Sequence, residues 1–156
     1  MTNQGDTTGP NVTSVTLEES NVAAGEAVRF NYEAEDNSGI GYVNFRFEGP
    51  SGVSFSVSDH EGAGSAAKVI PSDMPSGDYR LTSISASDDS SLINSSWYYR
   101  DGSLDGDTDS VTHDLSLSDY DFTVSGDDAG DTTGPNVTSV TLEESNVAAG
   151  EAVRFN

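Results

Sequence analysis

Residues 27–59 read AVRFNYEAEDNSGIGYVNFRFEGPSGVSFSVSD, and apolar side chains recur at every second position in three successive runs. Val28, Phe30, Tyr32 and Ala34 share one face of the first run; Val43, Phe45 and Phe47 share one face of the second; Val53, Phe55 and Val57 do so in the third. Strict alternation is the period of a half-buried β-strand and does not fit the 3.6-residue period of a helix. The breaks fall at EDNSG and EGPSG, whose Gly, Pro, Asn and Asp supply turn conformations. The stretch predicts three strands, each with one face on a core.

The pattern extends in both directions. Val15 and Leu17 mark a strand before it. Ala67 to Ile70, Tyr79 to Ala86, Ile93 to Tyr99 and Tyr120 to Val124 mark strands after it, with Trp97 expected inside. In the Tyr79 strand the apolar phase slips between Leu81 and Ile84, which predicts a β-bulge near Thr82 and Ser83. No segment keeps a helical stripe. Seven to eight short strands with such turns predict an all-β, immunoglobulin-like Greek-key sandwich. Tyr79, after SGD, stands where such sandwiches place a tyrosine whose hydroxyl bonds back to the chain; an ordinary edge aromatic is the alternative.

The two ends of the chain are copies of one another. GDTTGPNVTSVTLEESNVAAGEAVRFN runs from Gly5 to Asn31 and recurs unchanged from Gly130 to Asn156, an offset of 125 residues. A match this long and varied is a tandem repeat, and a 125-residue unit is the size of one domain. The expected layout is a linker at 1–9, a sandwich at 10–125, a linker at 126–134, and the first two strands of the next identical unit at 135–156. The chain is thus expected to be one complete unit of an array plus the opening of the next; an added duplicate of the leading segment is the alternative. A lone pair of strands is marginal in water. Residues 136–156 are therefore expected either to pack on the first domain or to complete a sheet in a neighbouring molecule.

Charge narrows the partners. Six Lys and Arg face 27 Asp and Glu, a net charge of −21, which argues against nucleic acid and against direct contact with anionic membranes. Cations are the natural partner, although a merely soluble or halophilic surface would have the same balance. Without cysteine there is no disulfide framework and no thiolate metal site. Residues 1–10 are polar, with no leader-like or membrane-spanning run, as expected of an internal slice of a secreted protein.

Sandwich connectivity brings three acidic segments to the pole where the first strand begins. These are the linker GDTTGP with Asp6, the EDNSG loop with Glu35, Asp36 and Asn37, and the SDDSS loop with Asp88 and Asp89. Crowded carboxylates repel one another, and a hard divalent cation taking six to eight oxygen ligands relieves that repulsion. At the far pole Asp127, Asp128 and Asp131 lie in the junction GDDAGDTTGP. Calcium at the junctions between repeats, several ions per repeat, is the expectation. Taken singly, each of these acids reads as a solvated turn residue.

A second cluster lies in DGSLDGDTDS, with Asp101 and the alternating Asp105, Asp107 and Asp109. Such an array can wrap one ion as the first half of an EF-hand does, but Ser110 and Ser116 stand where that loop needs Gly and a bidentate Glu. A calcium site completed by Asp101, Asp114 or a backbone carbonyl and a flexible acidic loop both remain open readings. A site of this ligand density would bind weakly, at about 10⁻⁴ to 10⁻³ M.

In order, DTTGP, a strand, AGEAVRF, EDNSGI, SGDYRL, ISASDD and DFTVSG resemble the immunoglobulin-like extender repeats of giant RTX adhesins of Gram-negative bacteria. The resemblance covers nearly the whole unit; the departure is the long acidic segment after Asp89. It implies near-identical neighbouring repeats, made rigid by calcium at their linkers, on an extracellular bacterial surface. It also implies a distal adhesive region, elsewhere in the parent protein, that binds the ligand in cell adhesion and biofilm formation.

The implied mechanism is mechanical. A strand of about eight residues spans roughly 27 Å at about 3.4 Å per residue, so each repeat lengthens a stalk. No catalysis is expected: His60 and His113 sit in no motif, and there is neither a nucleophile elbow nor a phosphate-cradling loop. NVT and NSS at Asn11, Asn136 and Asn94 match a glycosylation pattern too short to inform. The alternative function is a calcium-dependent sugar- or protein-binding β-sandwich, for which Tyr98 and Tyr99 are the candidate aromatics. A surface-layer wall protein is a third reading.

Overall fold

A computed structural model of the chain describes residues 5–126 and 136–156. Ten strands run in the order β1 (Asn11–Leu17), β2 (Asn21–Ala23), β3 (Ala27–Glu35), β4 (Ile40–Glu48), β5 (Ser54–Asp59), β6 (Ser65–Val69), β7 (Gly77–Asp88), β8 (Ser95–Tyr99), β9 (Leu104–Gly106) and β10 (Phe122–Ser125). They form two sheets. One has the order β1-β3-β6; the other has the order β2-β10-β7-β4-β5, with β8 on β7 and β9 on β8. The chain changes sheet after β1, β2, β3, β5 and β6, and the product is a Greek-key sandwich of immunoglobulin-like topology.

Alternation explains the layers. Val28, Phe30 and Tyr32 of β3 and Val43, Phe45 and Phe47 of β4 are all buried, and they meet between the sheets. Phe30 stacks on Phe45 at 4.9 Å between centroids, Phe47 meets Phe122 edge-on at 5.0 Å, and Tyr79 stacks on Phe122 at 5.3 Å. Each such buried aromatic contributes about 1.5–3 kcal/mol through area alone.

The phase slip in β7 is a bulge. Arg46 pairs with Ser83 and Phe47 with Leu81, which leaves Thr82 as the extra residue. Its hydroxyl donates to the Arg46 carbonyl at 3.0 Å. The buried Tyr79 begins the same strand, and its hydroxyl donates back to the Pro75 carbonyl at 2.9 Å. The structure therefore decides between the two readings of Tyr79 in favour of the bond to the upstream chain.

Several expectations need correction. Trp97 is 39% exposed, because β8 turns Ser96 and Tyr98 inward and Trp97 and Tyr99 outward. Ile93 is exposed at positive φ and precedes β8, since the Asp88 carboxylate holds the Asn94 N–H in a loop. Tyr120 closes a one-turn 3-10 helix, Leu117–Tyr120, and the last strand starts at Phe122. Among the described residues there are ten strands where seven to eight are expected; β2 and β9 are three residues each, too short for alternation to mark.

Residues 136–156 do not pack on the first domain: every one of them is exposed. They form a single bridge, Leu142 to Phe155, in the register of Leu17 and Phe30 in the first copy.

Candidate metal centre

The pole of the sandwich where β1 begins gathers the linker and the loops after β3 and β7. Asp6, Asp36 and Asp88 each place a carboxylate oxygen within 4.8 Å of the other two. Among the described residues no other set of three or more such side chains comes together in this way. Two ligands of one calcium ion stand at most about 4.6–5.2 Å apart, twice the calcium–oxygen distance, so the spacing fits that ion.

Local hydrogen bonds hold each acid. Asp6 Oδ1 accepts from the Thr8 N–H at 3.1 Å and the Thr8 hydroxyl at 2.9 Å, and its Oδ2 accepts from the Ser38 hydroxyl at 2.8 Å. Asp36 Oδ1 accepts from the Ser38 N–H at 2.8 Å. Asp88 is buried; its Oδ1 accepts from the Ser90 hydroxyl and the Asn94 N–H at 2.9 Å each, and its Oδ2 from Asn94 Nδ2 at 2.8 Å.

Asn94 ties the linker to this loop. Its Nδ2 also donates to the Asp6 carbonyl at 2.9 Å, and Gly9 N–H donates to the Asp107 carbonyl at 2.6 Å. Gly9 lies so close that an added Cβ would sit 2.5 Å from both the Ser95 carbonyl carbon and Ser96 Oγ. Only a residue without a side chain lets the linker lie here.

The three carboxylates differ in their electrostatics. The Thr8 backbone N–H, then the Ser38 and Thr8 hydroxyls, hold the Asp6 carboxyl down at about 2. Burial pushes Asp88 up, but hydrogen bonds from Asn94 and Ser90 outweigh it and leave it below the usual range. Asp36 moves the other way: burial first, and then the negative charges of Asp6 and Asp88, raise it against the opposing Ser38 N–H. Asp36 thus carries the unrelieved repulsion. The one ion pair among the described residues, Arg100–Asp121, involves none of the three acids.

The other expected residues lie elsewhere. Glu35 ends β3, exposed, beside Asp36, and Asp89 is exposed with its N–H on the Gly39 carbonyl at 3.2 Å. In the second cluster the carboxylates accept separate backbone hydrogen bonds. Asp101 accepts from the Ser103 N–H at 2.9 Å, Asp105 from the Gly106 N–H at 2.8 Å, and Asp107 from the Ser95 N–H at 2.9 Å. Asp109 is exposed, and the four do not share a point. Asp127, Asp128 and Asp131 lie outside the described residues.

Two features escaped sequence reading. Asn94 looked like part of a strand, and only its position after the SDDSS loop could have hinted at a role. Asp59 is buried at the end of β5, where it accepts from the Tyr32 hydroxyl at 2.7 Å and the Glu61 N–H at 2.9 Å. Of the histidines, His113 bridges the Tyr99 carbonyl and the Leu115 N–H through its two ring nitrogens, and His60 is exposed against the Tyr42 ring. No described helix is long and apolar enough to cross a membrane.

No family model matches the chain, and no curated protein matches it.

Proposed function

We propose that the chain is a spacer repeat of an extracellular array on a bacterial surface, stiffened by calcium where each linker meets its domain. The observation that carries this reading is the meeting of Asp6, from the linker, with Asp36 and Asp88, from the domain. A cation held by those three acids would fasten the linker to the sandwich that follows it. Asp131 repeats Asp6 at the next junction, and Asp127 and Asp128 add charge where the first linker has Thr2 and Asn3. Identical neighbouring repeats, a distal adhesive region in the parent protein and the absence of catalysis belong to the same proposal, as does its kinship to RTX adhesin extenders.

The test is small-angle X-ray scattering on a tandem of several repeats, with millimolar calcium and with excess chelator, beside a melting curve in each. The expected result is a rod that bends on chelation and a fold that loses about 0.4–1.4 kcal/mol per site of weak affinity. Unchanged shape and stability would remove calcium from the reading.

One observation favours the binding-module alternative. Trp97 and Tyr99 lie exposed on one face of β8, with Trp97 paired across the strands to Asp105. Tyr98 is not available for this, since it is buried with its hydroxyl on the Pro10 carbonyl. Saturable quenching of Trp97 fluorescence by simple sugars, weakened in Y99A, would support that reading.

A further inference from the structure

The outer face of the larger sheet is built unlike the rest of this acidic chain. Alternation on β4, β5, β7 and β8 turns every second residue away from the core, and cross-strand pairing sets those residues in rows. Arg46 of β4 pairs with Ser56 of β5 and Ser83 of β7, and Ser83 pairs with Tyr99 of β8. In the next row Asn44 pairs with Ser58 and Ser85, Ser85 with Trp97, and Trp97 with Asp105 of β9. Arg46 offsets Asp105, so the two rows carry no net charge in a chain of −21.

Two aromatic rings stand at the edge of these hydroxyls. Trp97 and Tyr99 are exposed and two residues apart on β8, which separates their Cα atoms by about 6.8 Å. Gly106 gives the indole its seat: a Cβ there would fall 2.9 Å from Trp97 Cε3 and 3.0 Å from Cζ3. Beside Tyr99 lies a hollow of about 380 Å³, walled by Arg46, Glu48, Thr82 and Ser83. Arg46 pairs with no acid among the described residues.

This composition selects a ligand class. Protein interfaces are depleted in serine and bury an apolar centre, which two rings among short hydroxyls do not supply. A polyanion meets the field of a −21 chain. A neutral sugar chain matches on both counts, because its C–H faces pack on aromatic rings while its hydroxyls exchange hydrogen bonds with serine, guanidinium and carboxylate groups.

We propose that this face binds a neutral polysaccharide laid along β8, with neighbouring sugar rings on Trp97 and Tyr99 and their hydroxyls on Ser83, Ser85 and Arg46. The site rests on the binding-module reading and departs from it in needing no cation, since Asp6, Asp36 and Asp88 take no part. Repetition of the face along an array would turn a weak site into firm attachment through avidity.

The experiment is affinity electrophoresis of the 156-residue chain in native gels that contain hydroxyethyl cellulose, dextran or galactomannan, with alginate as the anionic comparison. Each gel is run in excess chelator and in millimolar calcium. The expected result is retardation by at least one neutral polymer, equal with and without calcium, and none by alginate. W97A/Y99A should weaken binding at least about tenfold, because each stacked ring contributes a factor of several, while W97F/Y99F should keep most of it. S85R leaves both rings in place, fills the row beside them and should weaken binding too; it decides the matter if W97A/Y99A does not melt cooperatively. Retardation that W97A/Y99A and S85R retain overturns the proposal, as does retardation by alginate alone. Retardation seen only in calcium overturns this site and leaves a calcium-dependent binding module standing, whereas no retardation in any gel removes both.

Discussion

Arg100 and Asp121 meet through two parallel hydrogen bonds, 2.7 and 2.8 Å long, in a gap of the larger sheet. One edge of β7 is paired by β10 at Gly77–Tyr79 and by β8 at Ser83–Ser87, so on that edge Leu81 has no strand beside it, while its other edge pairs with Phe47 of β4. The ion pair fills that place. Asp121 Oδ1 accepts the Leu81 N–H at 2.8 Å, and Arg100 Nη1 donates to the Leu81 carbonyl at 3.0 Å.

Removing the carboxylate should therefore cost more than a surface ion pair does. D121A is expected to lose about 2–3 kcal/mol, because a buried backbone N–H and a partly buried guanidinium lose their acceptor together. D121N, which keeps an acceptor, should lose about half as much. Urea denaturation of both variants checks this, and equal, negligible losses would show the pair to be ordinary surface charge.

Acid should unfold the domain in a definite window. Asp6 and Asp88 bind protons less readily folded than unfolded, so their stabilisation is present above the unfolded carboxylate range near 4 and is lost as pH falls through their folded values, about 2 for Asp6. Asp36 has the opposite sign: its raised value favours the folded state at low pH and withdraws that support as pH rises through it. Melting temperatures in chelator from pH 2 to 6 should fall steeply toward the acid end, with D36N flattening the small opposing component.

At neutral pH, D36N separates repulsion from ligation. In chelator it should melt no lower than the parent chain, because a charge that Asp6 and Asp88 repel is gone. In millimolar calcium it should gain less, with affinity down about tenfold, or about 1.4 kcal/mol. A calorimetric titration that finds the same affinity in D36N and the parent would separate Asp36 from any calcium site.

Gly9 gives a test of the linker alone. G9A would drive a methyl group into Ser95 and Ser96, so residues 5–9 should come away while the sandwich stays folded. Hydrogen exchange at the Gly9 amide, now bonded to the Asp107 carbonyl, should rise by at least about tenfold for each 1.4 kcal/mol of docking lost. Unchanged protection would mean that the linker tolerates the methyl group.

At the other pole, Tyr79 ties the start of β7 to the turn before it. Y79F keeps the stack on Phe122 and loses only the hydroxyl bond to Pro75, a cost of about 1 kcal/mol. G49A should cost more, since its Cβ would fall 2.2 Å from the Tyr79 ring. Thermal melts of the two variants should rank in that order.

Much of this architecture was legible in the chain because period-two alternation is a local property. It placed the cores of β3, β4 and β5, the bulge at Thr82 and the pole where Asp6, Asp36 and Asp88 meet. Trp97 was misplaced because alternation says which residues share a face and not which face is covered. Asn94 was missed because its role depends on an Asp88 carboxylate and an Asp6 carbonyl that meet only in three dimensions. The Arg100–Asp121 plug was invisible because nothing local reveals a gap between β8 and β10.

The repeated segment separates the two kinds of information. By itself, the sequence from Asn11 to Asn31 determined a hairpin register, since the same residues at 136–156 bring Leu142 opposite Phe155 as they bring Leu17 opposite Phe30. What the tertiary structure alone decided is burial. Phe30 lies in a core because Phe45 and Phe47 of β4 and the neighbouring β6 cover it, while Phe155, with the same neighbours in sequence, stays in water. Hydrogen bonds between near residues form wherever the segment goes; removing apolar surface from water requires the distant strands.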